Sequence, residues 1–156
     1  MVLIHHDLIF QNKYFKNNES ALSFLADQLT AASYTKDSYT NAVLTREKVF
    51  PTGLPTGTIN VAIPHADSEH VNTSTLGIMT LAEPVKFHNM GDPDTTLDIS
   101  LIIMLAIAEP HGQVTMLQKL MGIVQDQAHL EKILAYPDKA TLYRDLANTF
   151  KDIVLA

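Results

Sequence analysis

No cysteine occurs among the 156 residues. That excludes a disulfide framework, thiolate catalysis and a cysteine-ligated metal, and any thiol the pathway needs must sit on a partner. Long apolar runs are also missing. The longest, Leu97 to Ala108, contains Asp98 and Ser100 and is too short to cross a bilayer. No basic-then-apolar leader opens the chain, so secretion is not expected and a cytoplasmic, water-soluble protein is. Positive charge is scarce: 11 Lys and Arg stand against 17 Asp and Glu, for a net charge of −6. This balance argues against nucleic acid as a partner, which would demand a basic face, but leaves room for a local site for a small anion or a phosphorylated partner. Absent too are the GxSxG elbow, GxGxxG, Walker A, HExxH and EF-hand patterns. Gly53 and Gly57, with Thr52, Thr56 and Thr58, make a polar loop that lacks the lysine of a nucleotide phosphate loop.

What is present suits one compact domain over residues 1–156. The apolar fraction is 46% and the charged fraction 18%, enough to build a core. His5 to Phe10 reads as a short strand. A helix capped by Asn17 or Asn18 runs to about Ala32, with Leu22, Leu25 and Leu29 on one face. A second, capped by Asp37 or Ser38, runs to about Val49 and turns Tyr39, Ala42 and Val43 inward. Pro51, Gly53, Pro55 and Gly57 then break regular structure. Strands are expected at Ile59–Ile63, Thr75–Leu81 and Leu97–Ala106. The last is apolar enough to be covered on both faces. Helices follow at Gly112–Val124, with a stripe of Val114, Leu117, Leu120, Met121 and Val124, then at Gln127–Ala135 and Asp138–Phe150. Helices both precede and follow the strands, which predicts an α/β layered sandwich: a mixed sheet of about five strands flanked by helices.

Chemistry concentrates around Arg46-Glu47-Lys48-Val49-Phe50-Pro51-Thr52-Gly53-Leu54 and Val61-Ala62-Ile63-Pro64-His65-Ala66. An apolar strand delivers His65 just past a proline that cannot donate to a ladder. A neutral imidazole there can attack or accept a proton, provided its other nitrogen is held. The competing reading is a polar residue at a strand end. His111 follows Pro110 at the mouth of the apolar strand and precedes a helix. If the two strands are neighbours, His65 and His111 meet where ligands of α/β sheets bind, beside a helix N-terminus suited to anions. Otherwise His111 is a loop or N-cap residue. Arg46 supplies a fixed charge able to fork onto a phosphate, or is a solvated helix-end arginine with a partly buried stem and a free head. Asp67 or Glu69 could orient the His65 ring. A metal cluster of His65, Asp67, Glu69 and His70 is poorly spaced on either a strand or a helix. His5, His6, His88 and His129 read as surface or structural.

Arg46-Glu47 with Phe50-Pro51-Thr52-Gly53-Leu54, then Val61-Ala62-Ile63-Pro64-His65, resembles the IIA component of the bacterial phosphoenolpyruvate-dependent sugar phosphotransferase system, fructose/mannitol class. Pro64-His65-Ala66-Asp67 with His70 is similar to galactitol-type members. The order of elements agrees from about Leu8 to Phe150. The resemblance implies a phosphotransferase component of sugar or polyol transport. His65 would take phosphate on Nε2 as a tele-phosphohistidine from the histidine-containing phosphocarrier protein. It would pass the group to a cysteine of a IIB component and so serve a membrane IIC component indirectly. His111 and Arg46 fall on the supporting positions, and Asn60 stands where many members have glycine. No cofactor, nucleotide or metal is implied. Leu54, Ile63, Val114 and Leu117 are expected to form an apolar rim that excludes water and docks a partner. Two other readings compete: a regulatory module of the same fold whose phosphorylation state another protein reads, and a metal-dependent hydrolase using His65, Asp67 and His111.

Overall fold

Along the most apolar strand, alternate side chains face opposite ways, so a run without polar interruption needs cover on both sides. The structure, a computed structural model describing residues 2–153, supplies that cover. In chain order it contains β1 (Ile9–Lys13), α1 (Asn18–Ala31), α2 (Tyr39–Val49), β2 (Gly53–Leu54), β3 (Asn60–Ala62), β4 (Thr75–Asn89), β5 (Asp92–Ala106), α3 (Gly112–Val124), α4 (Gln127–Ala135) and α5 (Lys139–Phe150). The five strands form one sheet ordered β1-β4-β2-β3-β5, in which β4 also pairs with β5. Pairing is parallel for β1–β4, β2–β4 and β3–β5, and antiparallel for β2–β3 and β4–β5, so the sheet is mixed as expected.

Leu101, Ile103 and Leu105 pack with Met116, Leu120, Leu130, Leu142 and Leu146 of α3, α4 and α5. Ile102, Met104 and Ala106 pack on the other face with Leu22, Leu25, Tyr39 and Val43 of α1 and α2. The result is a helix–sheet–helix sandwich with a core on each side of the sheet. Each fully buried Leu or Ile contributes about 1.5–3 kcal/mol relative to exposure. Caps set several helix starts: Asn17 accepts the Ser20 N–H at 2.9 Å, and Asp126 and Asp138 accept from His129 and Thr141 at 3.1 and 2.7 Å. Asn17→Ala is expected to lower stability by about 1 kcal/mol in urea titrations.

Several expectations need correction. The first strand lies at Ile9–Lys13, not His5–Phe10; His6–Leu8 form a 3-10 turn closed by the Leu8 N–H on the His5 carbonyl at 3.0 Å. Ser38 precedes α2 but gives its backbone no side-chain cap, because its hydroxyl bonds His70 Nδ1 at 2.8 Å. Strands β4 and β5 extend well beyond the expected Thr75–Leu81 and Leu97–Ala106 into a long hairpin whose register shifts between Thr80 and Val85. In its outer half Val85 and Phe87 alternate with exposed Lys86 and His88 and stay buried against the core under α1 and α2, while the residues nearer the turn are solvated and held by ladder hydrogen bonds. In α3 the buried residues are Gly112, Met116, Leu120 and Val124, while Val114 is 60% and Met121 41% exposed. The buried stripe therefore runs at i, i+4, i+8 and i+12 from Gly112, rotated from the expected one.

Candidate active site

Strand β3 lies parallel to β5, with Val61 opposite Leu101 and Ala62 opposite Ile102. Contact continues past the regular ladder: the Leu105 N–H donates to the Pro64 carbonyl at 2.9 Å, and His65 pairs with Leu105 as an isolated parallel bridge. Proline removes a donor but not an acceptor, so Pro64 ends the regular strand without releasing the chain. Ile63, fully buried, donates its N–H to the Thr52 carbonyl at 3.2 Å, and its own carbonyl lies 2.9 Å from His65 Nδ1. A carbonyl only accepts, so this contact puts the proton on Nδ1 and leaves the lone pair on Nε2. The ring is 5% exposed, yet Nε2 has no hydrogen-bond partner among the described residues and keeps contact with solvent. Burial holds the His65 pKa below the ordinary imidazole value, and the Arg46 charge pushes the same way; the Ile63 hydrogen bond and Asp67 oppose them without winning. The ring is thus an uncharged base with one open nitrogen at neutral pH. The backbone, not Asp67 or Glu69, orients it. Asp67 faces Arg46, and Glu69 lies 3.7 Å from His70.

Arg46 leaves the last turn of α2. Its head is not free, as the sequence suggested. Nη1 lies 3.6 Å from Asp67 Oδ1, the guanidinium covers the Phe50 ring at 5.1 Å, and Nε is buried with no partner among the described residues. The cation is fixed by stacking while keeping unused donors. An ion pair this long and this exposed is worth little, so an incoming anion can displace Asp67 at small cost. An open cleft of about 510 Å³ runs beside it, lined by Arg46, Val49, Phe50, Ala66, Asp67 and His70 among others. His65 does not line this cleft; its two successors do.

His111 is exposed and occupies the N-cap position of α3 without a side-chain cap bond. Parallel pairing of β3 with β5 puts it at the same sheet end as His65. Gln113 in the first turn of α3 ties the two segments together, donating from Nε2 to the Ala66 carbonyl at 3.1 Å, with Oε1 buried and unpaired among the described residues. Of the expected rim, Leu54 and Ile63 are core residues, Leu117 is partly buried and Val114 is exposed; Val49 and Phe50, 64% and 59% exposed, are the apolar groups at the cleft. Leu54 pairs opposite Val61 and so shares its sheet face with Ile63, two residues on, and that face packs on α3, α4 and α5.

Sequence reasoning passed over two residues here, Gln113 and Glu47. Glu47 is buried and accepts from Thr52 N at 2.8 Å and Thr52 Oγ1 at 2.7 Å. The signal was available: Tyr39, Val43 and Glu47 fall at i, i+4, i+8, the buried face of α2. Burial outweighs both hydrogen bonds and raises the Glu47 carboxyl from 4.5 to about 7. A carboxyl raised on folding favours the fold below its unfolded pKa, and that gain disappears as pH rises through its folded pKa. Relative to Glu47→Gln, the wild type is therefore expected to lose up to about 3 kcal/mol between pH 4.5 and 7 in urea titrations.

The site therefore gathers an arginine behind a Pro-Thr-Gly turn and a backbone-held histidine past an Ile-Pro step. The family model of the phosphoenolpyruvate-dependent sugar phosphotransferase system, EIIA 2, matches residues 2–149. The chain belongs to this family. Like other EIIA proteins it is a phosphotransferase component, and the family transfers phosphate through a histidine. Its sequence is similar to the galactitol-specific EIIA component of Escherichia coli K12, 27% identical over 124 residues that cover 80% of this chain and 82% of that protein. It is also similar to the transcriptional regulator ManR of Bacillus subtilis, 28% identical over 134 residues, 86% of this chain but 18% of that one. Its fold matches enzyme IIAMTL in the Escherichia coli complex with phosphorylated enzyme IIBMTL, with a TM-score of 0.75 at 24% identity, covering 95% of this chain and 99% of that one. Among the described residues, no helix of this EIIA is long and apolar enough to cross a membrane.

Proposed function

We propose that His65 is the phosphoacceptor of this EIIA, receiving phosphate on Nε2 from the phosphohistidine of a histidine-containing phosphocarrier protein and passing it to a cysteine of a IIB component. The supporting observation is the hydrogen bond from Nδ1 to the Ile63 carbonyl, which leaves Nε2 as the single open nitrogen. The Nε2 lone pair attacks phosphorus as the donor's N–P bond breaks, and the electron pair returns to the donor ring. No proton has to leave Nε2. The hydrogen on Nδ1 stays against Ile63 and helps disperse positive charge in the phosphorylated ring. On transfer, the incoming thiolate takes the phosphoryl group and Nε2 recovers its pair.

Transfer of this kind depends on positioning and charge stabilisation. Arg46 would exchange Asp67 for the phosphoryl oxygens. The first turn of α3 would add N–H donors, and His111 a further hydrogen-bonding group. Val49 and Phe50 give donor and acceptor an apolar contact in turn, which suits transient docking. The resemblance to a galactitol-specific component makes a sugar or polyol system of that type the favoured setting, with the chain acting in the cytoplasm as one EIIA unit over residues 1–156 and serving a membrane IIC component through IIB.

The test is incubation with enzyme I, the phosphocarrier and phosphoenolpyruvate, followed by acid-lability analysis and mapping of the label. One phosphate per chain on His65 is expected, discharged by adding a IIB component. Arg46→Ala is expected to retain that phosphate but to acquire and donate it about ten- to a hundredfold more slowly in quench-flow measurements. Label mapped to another residue would reject the assignment.

A further inference from the structure

We propose that Glu47 is a positioning residue for His65, acting through an unbroken hydrogen-bond relay from its carboxylate to Thr52, from the Thr52 carbonyl to Ile63, and from the Ile63 carbonyl to His65 Nδ1. Each link is short: 2.8 and 2.7 Å from the carboxylate to Thr52 N and Oγ1, 3.2 Å from Ile63 N to Thr52 O, and 2.9 Å from Nδ1 to Ile63 O. The relay joins the end of α2 to the chain beyond β3. No other element contributes a link.

The ring can be held no better than the Ile63 carbonyl that holds it. That carbonyl belongs to the Ile63–Pro64 peptide plane, and the chain is anchored on either side of that plane: downstream by the Leu105 N–H on the Pro64 carbonyl at 2.9 Å, upstream by the Ile63 N–H on the Thr52 carbonyl. Thr52 stands opposite Ile63 as the next rung of the β2–β3 ladder, but that ladder is only two pairs long and the chain ahead of Thr52, at Pro51, is irregular, so a further contact has to fix Thr52 from the α2 side. Glu47 does so by accepting both the backbone and side-chain donors of Thr52, one on each carboxylate oxygen. A side chain joining two such donors resists both sliding and rotation of the turn. Arg46 stands one residue before Glu47, so the same turn of α2 fixes the cation and the register of the ring. Glu19, Lys48 and His88 share the cleft on the outer side of Glu47, and among the described residues none of them makes an ion pair or hydrogen bond with its carboxyl. The carboxylate's hydrogen bonds are therefore directed inward, to Thr52. The relay does not touch the reacting atoms; it decides which imidazole nitrogen faces them.

This inference rests on the reading of His65 as phosphoacceptor for its effect on rate, but the state of the ring can be followed without phosphate. Long-range proton–nitrogen NMR of the unphosphorylated protein reports the His65 tautomer directly. The wild type is expected to show one tautomer, protonated on Nδ1. Glu47→Ala is expected to show a mixture, with phosphate uptake slower by about ten- to a hundredfold, the range found when groups that orient a functional histidine are removed. Glu47→Gln, whose amide can accept from Thr52 N and donate to Oγ1, is expected to restore the single tautomer. A folded Glu47→Ala protein with the wild-type tautomer and rate would overturn the relay. Should that variant fail to fold, native-state hydrogen exchange of the wild type decides: the Thr52 and Ile63 amides are expected to open together, and independent opening would overturn the proposal. If the tautomer responds to Glu47 while the wild type takes no phosphate on His65, the relay stands and the functional reading fails.

Discussion

His65→Ala is expected to abolish phosphate incorporation entirely while leaving a cooperatively folded protein. No second group stands ready to replace it. Among the described residues, His70 is engaged with Ser38 and Glu69, His129 lies 2.8 Å from Asp145, and His5 and His6 pack against Tyr34 and Tyr143. His88 also has Nδ1 held by a carbonyl, that of Pro93 at 2.9 Å, but it stands on β4 beside Glu47 and Lys48 and does not line the Arg46 cleft. His111, though at the same sheet end, lacks a backbone carbonyl holding either of its nitrogens, so its open nitrogen is not defined. The measurement is labelling with the donor system followed by mapping; incorporation in His65→Ala at the wild-type level would sink the assignment. The wild type carries a second expectation. Its ring resists protonation because charging it would bury a cation beside Arg46. A histidine whose pKa is depressed on folding stabilises the fold above its unfolded pKa, and that contribution is lost as pH falls through the folded value. Uptake of phosphate should therefore persist as pH drops through 6.5. His65→Ala should flatten the acid side of the stability profile.

Gly53→Ala is expected to damage both stability and phosphate transfer. A Cβ at residue 53 would stand 2.6 Å from the His88 carbonyl oxygen and 3.4 Å from Phe87 Cβ. The obstacle is backbone of β4, not the end of a flexible side chain. Gly53 cannot retreat either: it pairs with Ala62 on one side and Asn89 on the other, and its carbonyl accepts the Met90 N–H at 2.8 Å. Relief has to come from moving β2 off β4 or off β3. Overpacking of this kind costs roughly 2 kcal/mol, a fall in Tm of about 4–8 °C for a chain of this size. Because Thr52 is the next residue upstream, displacement of β2 loosens the Ile63 N–H and thus the His65 ring. Thermal unfolding and quench-flow phosphorylation measured on the same preparation should both fall. An unchanged Tm would mean the sheet opens here more freely than its pairing indicates.

Much was legible in the chain before any coordinates. Apolar residues at helical spacing placed α1 and α5 nearly to their ends, because those helices bury one stripe and expose the rest, and the bounds expected for α4 match as well. The apolar run ending at Ala106 announced a strand covered on both faces. Pro64 marked the end of a strand and so drew attention to His65. The outer half of the hairpin was legible only in part: Val85 and Phe87 alternate with Lys86 and His88 as a half-buried strand does, but the solvated residues nearer the turn are held by hydrogen bonds to the neighbouring strand, which leave no hydropathy pattern. The rotation of the α3 stripe was not legible, since Val114, Met116, Leu117, Leu120 and Met121 offer more than one apolar face, and only packing on the sheet chooses between them.

Sequence alone determined the kinds of chemistry open to this EIIA: no thiol, and a histidine and an arginine set beside a Pro- and Gly-bearing turn. These follow from residue identity and local backbone preference, which act over a few positions. Tertiary structure decided which nitrogen of His65 is open, that Arg46 meets Asp67 and Phe50, and that Glu47 faces inward onto Thr52. Those outcomes depend on the Ile63 carbonyl, the Thr52 turn and the end of α2 converging from separate stretches of chain. A backbone carbonyl is the same group at every residue, so its role is fixed only by where the fold puts it.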